Sequence, residues 1–183
     1  MRIRLREIQE SDLAFLNQCR NKPSVSRQLN LFQPQSLERE RQWLLTPKNE
    51  IHFLIVAGKT EAIGQVSLIH FSHKDKKAEF TIFLDDTFWG RGYGKTATRL
   101  MLHYAFTELN LHKIYLHVYE GNERARNMYK SIGFIEEGKL RDFIFKDGNY
   151  ISAHIYGILS HEFFTHPNTD GIVEPLLYDD GTL

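Results

Sequence analysis

The stretch Phe80–Thr96, FTIFLDDTFWGRGYGKT, constrains this chain more than any other. Phe80, Ile82 and Leu84 alternate with Thr81 and Phe83, and that period of two predicts a strand. Asp85, Asp86 and Thr87 break the alternation. Gly90, Gly92 and Gly94 then fall at every second position, and a helix-compatible run follows from Lys95 to Leu109. A strand, a glycine-rich loop and a helix in that order gather unpaired backbone N–H groups at the positive end of a helix. That arrangement binds phosphate.

Spacing separates three kinds of phosphate loop. A Walker loop requires a glycine five positions before Gly94-Lys95-Thr96, where this chain has Trp89. The dinucleotide pattern G-x-G-x-x-G begins at Gly90 and Gly92 but would place its last glycine at Lys95. What survives is Arg91-Gly92-Tyr93-Gly94-Lys95-Thr96, and from the loop alone an ordinary glycine turn before a helix stays equally open.

At 183 residues the chain suits one domain with a sizeable core. Lys plus Arg equals Asp plus Glu at 23 each, which argues against non-specific nucleic-acid or membrane-surface binding. The single cysteine, Cys19, cannot close an intramolecular disulfide. MRIRLREIQE lacks the apolar core of a signal peptide, and no apolar run reaches membrane-spanning length, so the expected location is cytoplasmic.

In chain order, Arg2 to Glu7 alternates apolar residues with arginines as a half-buried strand does. Ser11-Asp12 is expected to cap a helix through about Arg20, bent or ended by Lys22-Pro23-Ser24, with a looser stretch containing Arg27 and Phe32 beyond it. A second helix is expected from Ser36 to Leu45, stopped by Pro47. Strands follow at His52 to Ala57 and Ile63 to Phe71, then the central strand and its helix, then a strand over Ile114 to Tyr119. Asn122 can cap a short helix in which Ala125, Met128, Tyr129 and Ile132 share one face, ending at Gly133. Two last strands flank the hairpin signal Asp147-Gly148. The order β-α-α-β-β-β-α-β-α-β-β predicts an α/β (α+β) domain over 1–160, a mixed central sheet with helices on both faces. The tail 161–183 receives no fold.

The glycine loop resembles the pyrophosphate loop Q/R-x-x-G-x-G/A of the GNAT superfamily of acetyl-CoA-dependent N-acetyltransferases, with Trp89 at the position that is usually Gln or Arg. Asn122-x-x-Ala125-x-x-x-Tyr129-x-x-x-Gly133-Phe134 resembles that superfamily's second signature, at the expected distance. The resemblance covers roughly Leu5 to Leu159 and implies a GNAT-like fold, acetyl-CoA as co-substrate and a primary amine as acceptor. It implies that Arg91, Gly92, Tyr93, Gly94, Lys95 and Thr96 surround the pyrophosphate, and that the strand edge near Phe83 and Leu84 pairs with the pantetheine amides. By the same resemblance, Asn122 touches the cofactor or an ordered water, and Tyr129 stands beside the thioester sulfur as general acid.

Acetyl transfer to an amine needs that amine neutral, and an alkyl amine with a pKa of about 10 must lose a proton to a base or a water chain. Direct attack in a ternary complex suffices, because a thioester needs no protein nucleophile. Glu79 is a candidate base, though a strand-end carboxylate is most often merely solvated, and His117 is a weaker candidate still. Periodicity alone makes Tyr129 a core residue, and Asn122 a helix cap. No histidine pair has a third ligand at motif spacing, so no metal is expected.

Between Phe71 and about Glu162, Ala78-Glu79-Phe80 and Leu109-Asn110-Leu111-x-Lys113 resemble the spermidine N-acetyltransferase branch. The first fifty residues nevertheless hold nine Lys/Arg against six Asp/Glu, which argues against a simple polyamine. Arg20-Asn21-Lys22-Pro23 and Trp43 resemble acetyltransferases acting on nucleotide-linked amino sugars, whose phosphate-bearing acceptor a basic pocket would suit. A ribosomal-protein N-terminus, and a non-catalytic module that holds acyl-CoA or pairs with a second copy, stay open as alternatives.

Overall fold

The computed structural model describes residues 3–31, 33–46 and 49–167; Arg2, Phe32, Pro47 and the tail 168–183 lie outside the described residues. Seven strands form one sheet: β1 (Ile3–Glu7), β2 (Ile51–Ala57), β3 (Glu61–Ser72), β4 (Lys77–Leu84), β5 (Lys113–Tyr119), β6 (Ile135–Lys146) and β7 (Asn149–Leu159). Their order is β1-β2-β3-β4-β5-β7-β6. Every neighbouring pair is antiparallel except β4 and β5, which run parallel. The parallel step needs a crossover, and α4 (Tyr93–Thr107) supplies it.

Alternation along the strands sorts side chains onto two faces. Phe53, Ile55, Phe80 and Leu84 belong to the larger core, where α4 contributes Ala97, Met101, Leu102 and Ala105 at helical spacing. Also in that core are Tyr129 of α5 (Glu123–Lys130) and Phe163 of α6 (Ser160–Thr165). Leu54 and Val56 face the other way, onto a smaller core with Leu13 and Leu16 of α1 (Leu13–Asn21) and Trp43 of α3 (Leu37–Leu45). The β2 run from Phe53 to Ala57 is buried throughout because both its faces are covered. Each such apolar side chain contributes about 1.5–3 kcal/mol on burial.

Some local expectations change. Asp12 does not cap α1: its carboxylate takes a two-pronged hydrogen bond from Arg6, at 2.7 and 2.8 Å, and one from the Gln9 amide. The chain leaves α1 at Lys22 and starts a four-residue helix, α2 (Pro23–Ser26), with the proline at its first position. Ser36 does cap α3, accepting from the Arg39 amide at 3.2 Å. α6 runs five residues into the segment that received no fold, because Phe163 is buried against Phe106. Positive φ at both Asp147 (49°) and Gly148 (81°) matches the two-residue hairpin turn between β6 and β7. Among the described residues no helix is long and apolar enough to cross a membrane.

Candidate active site

β4 and β5 pair only at Lys77–Lys113, Ala78–Ile114 and Glu79–Tyr115. Beyond Glu79 the strands part while each keeps its outer partner: β4 stays on β3 through Leu84, and β5 stays on β7 through Tyr119. A cleft of about 620 Å³ occupies the gap. The register decides which backbone faces it. The Asp85 amide donates to the Ile63 carbonyl at 2.9 Å, so the alternate residues Thr81 and Phe83 also turn their backbone toward β3. Phe80, Ile82 and Leu84 therefore turn theirs toward the cleft. Of the expected pair, Leu84 turns its backbone to the cleft, as Ile82 does, whereas Phe83 lines the cleft with its backbone on β3.

The glycine loop closes one end. Gly92 (φ 82°) is the N-cap of α4, in the left-handed region where a side chain is penalised. The amides of Tyr93, Gly94 and Lys95 lie in the first turn and have no partner within the helix. Gly92, Gly94 and Lys95 line the cleft together with Gly90. Arg91, Tyr93 and Thr96 do not: Arg91 and Tyr93 pack on the Phe88 ring, and the Thr96 hydroxyl turns back to the Gly92 carbonyl. Trp89, the departure from the family pattern, donates its indole N–H to the Leu84 carbonyl at 3.0 Å and so ties the loop to the end of β4. The Arg124 guanidinium lies 3.9 Å over its ring.

From the α4 side, Tyr129 brings its ring edge-on to Phe80 and Phe134. The residue is only 7% exposed, lines the cleft, and its hydroxyl makes no hydrogen bond to a described residue. Burial pushes the Tyr129 hydroxyl well above the usual tyrosine range. Core packing and cleft access thus coexist in one side chain. Asn122 caps α5 through a 3.2 Å bond from the Ala125 amide and also lines the cleft.

The opposite face of the sheet carries Glu79, next to its cross-strand partner Tyr115. Glu79 is not simply solvated: its side chain is 15% exposed, and its two oxygens each meet an imidazole Nδ1 at 2.8 Å, His117 on one and His70 on the other. His70 sits at a break in the β3–β4 register with φ 51°. His117 lies under the Phe143 ring, 5.5 Å away and nearly parallel. Sequence position marks Glu79 and His117 only singly; their contact, and the place of His70, leave no signal in spacing. Gln28, Arg124 and Met128, which also line the cleft, were likewise not anticipated.

Arg20 and Lys22, two cations of the first fifty residues, are neutralised within the fold. Arg20 pairs with Glu40 at 2.9 Å and donates to Gln65 at 2.6 Å, while Lys22 pairs with Asp85 and Asp86 at 2.6 and 3.0 Å. These charges leave no bare basic pocket at Arg20 and Lys22, so the inference against a polyamine loses its footing.

Residues 2–135 match the model of the acetyltransferase (GNAT) domain family. The spermidine N(1)-acetyltransferase of Escherichia coli K12 is 31% identical over 173 residues, 92% of each chain. That of Vibrio cholerae serotype O1 is 34% identical over 162 residues, 87% of this chain and 94% of its own. The crystal structure of spermidine N-acetyltransferase from Vibrio cholerae in complex with CoA and spermine superposes with a TM-score of 0.84 at 30% identity, covering 88% of this chain and 98% of that one.

Proposed function

This chain belongs to the GNAT acetyltransferase family and is an acetyl-CoA-dependent N-acetyltransferase, and on that premise we propose that its acceptor is a polyamine of the spermidine class. The observation that carries the site assignment is the parting of β4 and β5. It collects the Ile82 and Leu84 backbone, the glycine loop, the Tyr129 hydroxyl and the Glu79 carboxylate around one gap. Both covered relatives act on spermidine, and the ion pairs of Arg20 and Lys22 remove the electrostatic objection to a polycation.

In this reading the thioester donor lies along the unpaired β4 edge, where Ile82 and Leu84 offer backbone groups to its amides as a neighbouring strand would. Amides at the start of α4, with Lys95, hold the pyrophosphate. Asn122 serves chiefly as the α5 cap, at the edge of the same cleft. The amine approaches from the Glu79 face and attacks the thioester carbonyl directly. The C–S bond breaks, and the departing thiolate forms on the Tyr129 side of the sheet. Burial holds the Tyr129 hydroxyl protonated, so it stabilises the sulfur by donating a hydrogen bond as charge develops.

A thiol-release assay with acetyl-CoA and a panel of amines tests the acceptor. Spermidine and spermine are expected to outpace a nucleotide-linked amino sugar and a peptide N-terminus by at least about tenfold, the low end of what a single lost contact costs. Faster release with either of the latter would reassign the acceptor.

A further inference from the structure

We propose that the base for the acceptor amine is Nε2 of His117, and that Glu79 is the residue that positions it. The inference rests on the site reading above. A carboxylate only accepts hydrogen bonds, so each imidazole nitrogen facing Glu79 must carry the proton. His117 is thereby held as the Nδ1–H tautomer, which leaves the lone pair on Nε2 at the opposite edge of the ring. A carboxylate fixing an imidazole so that its far nitrogen takes a proton is the logic of the serine-hydrolase triad, here without a protein nucleophile.

Among the described residues, His70, His117 and His154 each set Nδ1 against a glutamate, and their surroundings choose among them. His154 donates to Glu136 at 2.7 Å, but its Nε2 is buried, with no partner among the described residues, away from the cleft. His70 borders the same cleft, but its side chain is 66% exposed, in bulk-like solvent, and no ring among the described residues holds it. His117 is 21% exposed, lines the cleft, and is held flat by Phe143, so its ring is both oriented and reachable. Glu79 and Tyr115 share one sheet face and Phe80, which carries the Tyr129 contact, the other. Base and thiolate-stabilising hydroxyl thus approach the gap from opposite sides, as attack and departure at one carbonyl require.

The step balances simply. An ammonium N–H bond breaks and the proton passes to His117 Nε2, giving an imidazolium beside the Glu79 carboxylate. The nitrogen keeps the electron pair and forms the C–N bond as the C–S bond breaks; the second N–H proton, acidic once the amide forms, passes to the departing thiolate to give the thiol, and the imidazolium returns its proton to solvent. The ionisable neighbours of His117 are Glu79 on β4, His70 on β3, and Tyr115 and Tyr119 on β5; β6 presents Phe143, which does not titrate. Burial, and after it the Glu79 charge, pushes both tyrosine hydroxyls up, away from the neutral range.

The test is kcat/KM for spermidine from about pH 7 to about pH 10, where an alkyl amine loses its own proton. His117→Asn keeps an N–H toward Glu79 and removes Nε2. It is expected to fall about 10²–10⁴-fold at neutral pH, the usual worth of a positioned base. That deficit is expected to shrink as pH rises and neutral amine binds from solution. Glu79→Gln, which offers one acceptor and one donor where two acceptors stood, is expected to reproduce part of the loss. His70→Asn, which removes the second imidazole on Glu79 and leaves the base in place, is expected to lose less than His117→Asn and to keep the parent's pH dependence. A deficit that is constant with pH, activity of His117→Asn within threefold of the parent, or a larger loss in His70→Asn would each overturn the assignment. Coenzyme affinity by calorimetry separates the two levels. Intact affinity in His117→Asn with a flat deficit removes only the base, whereas unchanged affinity in Gly92→Val removes the site reading beneath it. Should His117→Asn fail to fold, the pH dependence of Glu79→Gln decides in the same way.

Discussion

Two buried tyrosines, 27 positions apart in the chain, divide the molecule into a closed region and an open one. Tyr156 is fully buried, and its hydroxyl is satisfied twice: it donates to Glu136 at 2.8 Å and accepts from Arg126 at 3.1 Å. The other Glu136 oxygen takes the His154 proton, and Arg126 also holds Glu123. Tyr129 is almost as buried, yet its hydroxyl faces the cleft with no partner among the described residues. A polar group inside a protein is normally paired. Where the fold supplies the partner, the group stabilises; where it does not, the partner is expected from outside.

Replacing each tyrosine by phenylalanine should therefore give opposite results, and this is the largest effect expected. Tyr129→Phe should lower turnover about 10²–10⁴-fold while coenzyme affinity changes by less than about 1.5 kcal/mol and the melting temperature hardly moves. Tyr156→Phe should keep turnover but lose about 1–3 kcal/mol of stability, because Glu136 and Arg126 each lose a partner. Steady-state kinetics and melting curves on the pair check this. Near-parental turnover in Tyr129→Phe, with a lowered melting temperature, would make the two tyrosines alike and dissolve the contrast.

A smaller effect is expected at the glycine loop, on the open side. Gly92→Val forces a β-branched residue to φ 82° and adds bulk where the first-turn amides must approach a phosphate. Coenzyme affinity, measured by calorimetry on folded protein, should fall by about tenfold or more, since a single strained contact is worth 1–3 kcal/mol.

The smallest effect belongs to the closed side and to acid. Hydrogen bonds from His154 and Tyr156 hold the Glu136 carboxyl at about 2, well below the ordinary carboxylate range. A lowered folded-state value means that the stability it contributes is complete above the unfolded glutamate value of about 4.3. That contribution is lost as pH falls from there toward about 2. Denaturant melts of the parent and Glu136→Gln should thus differ at neutral pH and converge in this acid window; a gap that persists at pH 2 would place the contribution elsewhere.

Most of the sheet and the two signature helices were legible because their periods are local: five residues suffice to see alternation at Phe80–Leu84, and Ala125, Met128, Tyr129 and Ile132 show their helical face directly. The α/β arrangement with helices on both faces follows from that order and is what the structure has. The site was legible in part. Glycine spacing marks the loop, but only the register, through the Asp85–Ile63 bond, reveals that Ile82 rather than Phe83 turns its backbone to the cleft. Glu79 and His117 stand 38 positions apart and meet because the parallel pairing sets Glu79 beside Tyr115. Net charge misled at the N-terminal region, since a count cannot show that Lys22 meets Asp85 and Asp86 from more than sixty positions away.

The parting of β4 and β5 creates two strand edges in the middle of a sheet. An exposed edge is a standing invitation to another polypeptide and a familiar route to aggregation. Here the invitation is turned inward, with α4 and α5 on one side and the Gln28 segment nearby. What enters must be slender, carry amides, and lack the side chains that a peptide presents at every residue. By that measure a donor held in the gap as proposed would also be a guard, covering the stickiest part of the backbone while it stays.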